Sequence, residues 1–322
     1  MMRFENRGNK ATKAGFGEGL LEVGIAKSSV VAIGADITAS VGVDLFASQF
    51  PARFISLGIA EQNCVGVAAG MALMGKIPVF ATYGVFSALR TTDQVRVSLC
   101  YNNLHVVIGG AHAGVSVGPD GATHQALEDI AIMRVLPNMT VLSPCDATQA
   151  RLAVIAAVEQ CRGPVYLRFG REAMPDFTAV DMGFDIGKAQ LLHDGNDLAI
   201  MATGHMTWEA LRAAYELEKE GIMARVLNIH TIKPIDESAL LEAARECGAI
   251  VTAEEHLVAG GLGSAISEVI SKNHPVPIEF VGMNDHFGES GSPRELMIKF
   301  GLTAENIITA CRKAMSRSEM KK

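Results

Sequence analysis

The sequence predicts an α/β fold of two domains, each a mainly parallel sheet with helices on both faces. Three observations predict it. Short apolar runs alternate with longer helical stretches along almost the whole chain. The runs lack polar alternation, so both faces of each strand need cover, as in a parallel sheet between helix layers. A length of 322 residues is enough for two domains, and 32 Gly with few aromatics suit tight strand-to-helix turns.

The elements follow in order. Ala14 to Ala26 is a first helix, weakened by four Gly. Val30 to Gly34 is a continuous apolar strand ending at Ala35-Asp36. Asp44 to Phe50 is a short helix stopped by Pro51. Arg53 to Ser56 reads as a short buried strand and Cys64 to Leu73 as a helix of small apolar residues. Ile77 to Ala81 is the next strand, Phe86 to Tyr101 the next helix, and Leu104 to Gly109 a fully buried strand. A Gly-rich loop from Ala113 to Thr123 precedes a helix from Gln125 to Val135. Thr140 to Ser143 is a strand, Asp146 to Glu159 a helix with an Asp cap, and Pro164 to Phe169 a strand. Between Arg171 and Lys188 the pattern lapses into a linker. This puts the boundary near residue 185, with domains over 11–185 and 186–316.

A second α/β run starts with strand Leu198 to Ala202, helix Thr207 to Glu220 and strand Ala224 to Ile229. Helix Glu237 to Cys247 and strand Ala249 to Ala253 lead to the turn Gly260-Gly261-Leu262-Gly263-Ser264. Helix Ala265 to Ser271, strand Ile278 to Val281 and a helix from Ala304 to Ser316 complete it.

Composition narrows the function. A net charge of −7 argues against nucleic acid as a partner, because phosphate backbones need clustered Lys and Arg. The one basic cluster, Arg312, Lys313, Arg317, Lys321 and Lys322, reads as a solvated, frayed tail. Six Cys without a Cys-x-x-Cys pair read as reduced core thiols. The polar first ten residues carry no signal-peptide core, and no run is long enough to span a membrane, so the chain is expected to be cytoplasmic.

Three stretches carry chemistry. Glu61, in Ser56-Leu57-Gly58-Ile59-Ala60-Glu61-Gln62-Asn63, is a lone carboxylate where a strand end turns into a nearly charge-free helix. It is either an acid favoured by the helix dipole or a buried proton carrier. The loop from His112 to His124 places two His and Asp120 among three Gly at the end of a buried strand, where open α/β sheets bind ligands. These side chains suit a polyhydroxylated, phosphorylated substrate, and no third ligand at a usual spacing points to a metal. Tyr83 and Phe86 form a Tyr-x-x-Phe pair past another strand end, placed either for core packing or for stacking on a heteroaromatic ring. The Gly260 turn lacks the spacing of a dinucleotide fingerprint and reads as a tight strand-to-helix connection.

In combination these stretches resemble the pyrimidine-binding domain of transketolases. The resemblance rests on Gly58-Ile59-Ala60-Glu61-Gln62-Asn63, Tyr83-x-x-Phe86, and His112 with Gly118-x-Asp120-Gly121-x-Thr123-His124-Gln125. Ile232-Lys233-Pro234-Ile235-Asp236 and Glu254-Glu255-His256 extend it to the transketolase C-terminal domain. The chain thus resembles the C-terminal half of a transketolase encoded as a separate subunit.

The resemblance implies thiamine diphosphate as cofactor. Glu61 would bond the ring nitrogen of its aminopyrimidine, and the proton shared there favours the imino form that activates the thiazolium. Tyr83 and Phe86 would lie against the aminopyrimidine, and Asp36 beside the cofactor and the subunit interface. Asp120 and His124 would bond sugar hydroxyls near the reacting carbons, and Ser40, His112 and Arg171 would surround the substrate phosphate. Glu61 and His124 are the implied catalytic residues. Two positions depart from the family: Lys13 stands where a phosphate-binding Arg is usual, and Leu89 replaces a further aromatic.

The family holds the diphosphate through Mg²⁺ on a Gly-Asp-Gly motif followed by an Asn-rich stretch, and this chain carries neither. The resemblance therefore implies an N-terminal partner subunit that holds Mg²⁺, and assembly into a heterotetramer. The small residues Gly66, Ala68, Ala69, Gly70 and Ala72 suit close helix contact, either across an interface or inside one domain. The expected activity is transfer of a two-carbon ketol unit from a ketose phosphate to an aldose. A 2-oxoacid dehydrogenase beta subunit shares the length and the Ile-Ala-Glu-Gln motif, but the His112–Gln125 loop favours sugars. Deoxyxylulose-phosphate synthase shares much of that loop on a longer chain. A non-catalytic subunit need not keep Glu61, Asp120 and both His. Pentose phosphates, a branched sugar phosphate and a sulfonated sugar all remain open as substrates.

Overall fold

The computed structural model describes residues 4–319. The first part of the chain runs β1 (Asn9–Ala11), α1 (Thr12–Ala26), β2 (Val30–Gly34), α2 (Asp44–Gln49) and β3 (Phe54–Ser56). Next come α3 (Glu61–Leu73), β4 (Ile77–Tyr83), α4 (Thr92–Gln94), β5 (Val107–Ala111) and α5 (Asp129–Val135). β6 (Thr140–Leu142), α6 (Ala147–Glu159), β7 (Val165–Arg168) and β8 (Ala173–Pro175) end this part. The second part runs β9 (Gln190–His193), β10 (Leu198–Ala202), α7 (Met206–Lys219), β11 (Ala224–Asn228) and β12 (Thr231–Lys233). It continues with α8 (Glu237–Cys247), β13 (Ile250–Leu257), α9 (Leu262–Asn273), β14 (Ile278–Met283), α10 (Pro293–Lys299) and α11 (Ala304–Glu319).

Two sheets organise these elements. One has the order β12-β6-β7-β5-β4-β2-β3 and is parallel except for its edge strand β12. The other has the order β14-β13-β10-β11-β9 and is parallel except for its edge strand β9. The continuous apolar runs lie where a two-sided core requires them: β2, β5 and β10 are buried along their whole length. The glycines of α1 have a packing reason. A Cβ on Gly15 would lie 1.9 Å from the Ala147 carbonyl oxygen, so α1 approaches α6 more closely than any side chain allows.

Several expectations are corrected. β3 is a half-buried edge strand, because only β2 pairs with it. The helix after Tyr83 is π-helical over Val85–Arg90 and Val95–Tyr101. The hydroxyls of Ser87, Thr91 and Thr92 donate to the carbonyls of Gly84, Ser87 and Ala88 and compete with the regular ladder there. The helix expected from Gln125 starts only at Asp129, because Gln125 and Ala126 are held in the preceding loop. The stretch after Arg171 is no plain linker, since β8 pairs antiparallel with β1. β9, β12 and α10 add to the expected elements; two are short antiparallel edges with weak patterns.

The basic tail is not frayed over its described part: Arg312 pairs with Glu220, and Lys313 and Arg317 with Glu279. Lys321 and Lys322 lie outside the described residues. All six Cys are buried free thiols. Among the described residues no helix is long and apolar enough to cross a membrane.

Candidate active site

The parallel strands of the larger sheet end on one side, and the chemistry collects there. Asp36 follows β2, Glu61 follows β3, Tyr83 ends β4, His112 follows β5 and Arg171 follows β7. Asp36 and His112 adopt left-handed backbone, with φ of 68° and 54°, which turns the chain sharply off each strand.

Glu61 opens α3 and is 2% exposed. Arg90 Nη1 donates to its Oε2 at 2.8 Å, and among the described residues Oε1 has no hydrogen-bond partner. The same guanidinium lies 4.2 Å from the Phe86 ring centroid. Arg90 is the main residue that sequence reasoning missed. The available signal was spacing: it stands four residues after Phe86, and so on the same helix face.

The aromatic pair meets the His loop. Tyr83 and Phe86 have ring centroids 5.7 Å apart. The His112 ring lies 4.0 Å from Tyr83, and His124 presents an edge to both Tyr83 and Phe86 at 5.6 Å. Ser40 Oγ and Tyr83 Oη are hydrogen-bonded at 2.8 Å, which fixes the phenol. Thr123 Oγ1 and His124 Nδ1 share a bond of 2.9 Å. Arg171 Nη1 donates to Asp120 Oδ1 at 2.8 Å and to the Val117 carbonyl at 3.2 Å, so this cation is tied to the loop.

Electrostatics set His112 apart. Burial, then the nearby charges of Lys13 and Arg171, push its pKa down to about 4. Its Nδ1 is buried with no hydrogen-bond partner among the described residues, an orphan that native structures rarely leave without a reason. Lys13, singled out in the sequence for replacing an Arg, therefore faces the site as a point charge. Leu89 is exposed beside Arg90.

The structure thus joins Ser40, Tyr83, Phe86, His112, Asp120, His124 and Arg171, with Glu61 linked to Phe86 through Arg90. Asp36 is exposed at the end of β2, and no described hydrogen bond or ion pair ties it to the cluster. The Gly260 turn is a strand-to-helix connection. The start of α9 is filled by Glu254, which accepts from the Leu262 and Gly263 amides at 2.6 and 2.8 Å where a phosphate would otherwise sit. Among the described residues no three His, Cys, Asp or Glu converge as a metal site.

Known proteins resemble this chain in sequence and fold. The transketolase pyrimidine binding domain matches residues 9–176, and the transketolase C-terminal domain matches residues 187–307. The 6-deoxy-6-sulfo-D-fructose transketolase subunit SqwH of Clostridium sp. (strain MSTE9) is 44% identical over 302 residues, covering 94% of each chain. An apulose-4-phosphate transketolase subunit of Phocaeicola vulgatus is 41% identical over 298 residues, covering 92% of this chain and 95% of its own. A split gene transketolase solved as an inactive beta4 tetramer superposes with a TM-score of 0.89 at 46% identity, covering 97% of this chain and 100% of that one.

Proposed function

The chain belongs to the transketolase family as the C-terminal subunit of a split enzyme, and we propose that it transfers a two-carbon ketol unit between a ketose phosphate and an aldose. The observation that carries this reading is the contact of His124 with both Tyr83 and Phe86. It brings the sugar-binding loop and the aromatic platform to one point.

The residues fit thiamine diphosphate. Glu61 keeps one carboxylate oxygen free in a buried position, Tyr83 and Phe86 offer flat faces, and His112 Nδ1 is an unpaired polar atom beside them. When bound, the cofactor supplies the electron sink for cleaving and forming a carbon–carbon bond. Glu61 holds the proton at the aminopyrimidine ring nitrogen, and Tyr83 and Phe86 orient the ring. His124 and Asp120 hydrogen-bond the sugar hydroxyls, and His124 holds or moves a proton there. Ser40, His112 and Arg171 surround the substrate anion, with Lys13 adding charge. Asp36 lies towards the cofactor and the interface.

We assign Mg²⁺ and the diphosphate to an N-terminal partner subunit, because this chain carries no Gly-Asp-Gly motif. Exposed Ile59, Leu73, Met74 and Tyr101 leave apolar surface available for self-association. Space for a Cβ at Gly66 and Gly70 supports close helix contact on α3. A heterotetramer follows from pairing two copies of each chain. The domain boundary is placed near residue 185, between β8, which pairs with β1, and β9, which joins the second sheet.

Reconstitution tests the function. The chain mixed with its N-terminal subunit, thiamine diphosphate and Mg²⁺ transfers a ketol unit, and the chain alone does not. A panel of phosphorylated, branched and sulfonated ketoses then identifies the donor. Turnover by the chain without a partner, or none by the assembled pair on any ketose, would overturn the proposal.

A further inference from the structure

The substrate loop does not hold its own shape. It is closed at its base, where the Gly114 amide donates to the Ala126 carbonyl at 2.9 Å, and Arg171 ties Val117 and Asp120, but further fixed points lie in the second domain. Glu255, at the end of β13, accepts the Ser116 amide on Oε1 at 2.6 Å. Its Oε2 lies 3.5 Å from His205 Nδ1, and its carbonyl accepts from Arg168 Nη2 at 2.8 Å. Burial alone would raise this carboxyl, but the His205 bond, the His205 and Arg168 charges and the Ser116 amide hold it below the ordinary range. A buried carboxylate so compensated is a rigid, charged acceptor.

The loop is shaped to Glu255. Gly114 has φ +84°, and a Cβ there would fall 2.1 Å from Glu255 Oε1. From the other side, Gln125 Nε2 donates to the Val115, Gly118 and Glu289 carbonyls at 3.2, 3.4 and 2.9 Å. Glu289 belongs to the segment between β14 and α10, so Gln125 ties both ends of the loop to the second domain.

We propose that the C-terminal domain sets the sugar-binding shape of the loop, with Glu255 acting as a positioning residue through the Ser116 amide and Gln125 as its counterpart. This rests on the ketol-transfer reading above. Neither side chain meets the sugar; they place Asp120 and His124, which do.

The test uses the holoenzyme assembled with its N-terminal subunit and compares Glu255→Ala, Glu255→Gln and Gln125→Met. Three quantities are measured: KM for the ketose donor, Kd for thiamine diphosphate, and amide hydrogen exchange over residues 113–125. Glu255→Ala and Gln125→Met raise KM roughly tenfold or more and lose protection in the loop, as expected for removing buried bonds that hold the geometry. Cofactor Kd stays within about twofold, because the ring platform is untouched. Glu255→Gln keeps an acceptor for the Ser116 amide and restores both readouts. Unchanged KM and unchanged protection in Gln125→Met and in folded Glu255→Ala, with activity falling only with melting temperature, would overturn the proposal. If Glu255→Ala does not fold, Gln125→Met decides alone. If the wild type transfers no ketol, the functional reading fails, and the exchange data still decide the clamp.

Discussion

Arg90 and Glu61 form an ion pair of 2.8 Å in which the carboxylate is buried and the guanidinium is half-exposed over Phe86. The pairing makes a buried acid tolerable while leaving one of its oxygens open. Removing Arg90 leaves the carboxylate without its counter-charge. Arg90→Ala should therefore lower unfolding free energy by about 1–2 kcal/mol, a half-exposed pair being worth less than a fully buried one. In a Glu61→Gln background the same substitution should cost measurably less. Chemical denaturation of the four proteins gives the coupling, and strictly additive costs would remove Arg90 as the partner.

Tyr83 serves two ends. Its ring stacks with His112, and its hydroxyl bonds Ser40. Tyr83→Phe should cost about 1 kcal/mol of stability and keep cofactor affinity. Tyr83→Ala should weaken thiamine diphosphate binding about tenfold in the assembled enzyme, by loss of a flat face. Equal affinities for the two variants would place the ring outside the cofactor site.

Arg171 is held against Asp120 and the Val117 carbonyl, which aims it at the loop side of the site. Arg171→Ala should raise KM for phosphorylated or sulfonated ketoses about tenfold or more, and change KM for an uncharged ketose little. Equal effects on charged and uncharged donors would show that Arg171 shapes the loop and does not read the anion.

Three buried imidazoles make stability depend on pH. Burial pushes His112, His230 and His256 down to about 4 from the ordinary 6.5. Between these values the unfolded chain binds protons that the native state excludes. The contribution of these three groups is therefore full above pH 6.5 and falls as pH drops through the window towards 4. Urea unfolding between about pH 7 and 4.5 should show this decline, and His230→Gln should flatten part of it. A midpoint that stays constant across that range would contradict the buried neutral state.

That the strands form parallel sheets was legible because runs such as β2, β5 and β10 are continuously apolar, and only a two-sided cover can bury them. The short antiparallel edges β9 and β12 were not, since three or four residues leave no periodic trace. Glu61, Tyr83, Phe86 and the His112–His124 loop were legible as motifs. Their partners were not: Arg90 reaches Glu61 across 29 residues of sequence, and Glu255 reaches Ser116 across 139. A motif names residues that face a ligand, whereas the groups that hold them are set by folding at long range. The glycines of α1 show the reverse case. They read as helix weakness and prove to be packing surface, Gly15 and Gly19 against α6 and Gly24 against Phe46 of α2.

The central claim is that Glu61 is the proton partner of a bound aminopyrimidine. The most direct measurement is the rate at which the thiazolium carbon-2 proton of thiamine diphosphate exchanges with deuterium in the assembled enzyme, followed by quenched-flow NMR for wild type and Glu61→Gln. Exchange should be at least about 100-fold slower in Glu61→Gln, with fold and assembly intact. Equal exchange rates in the two proteins would contradict it.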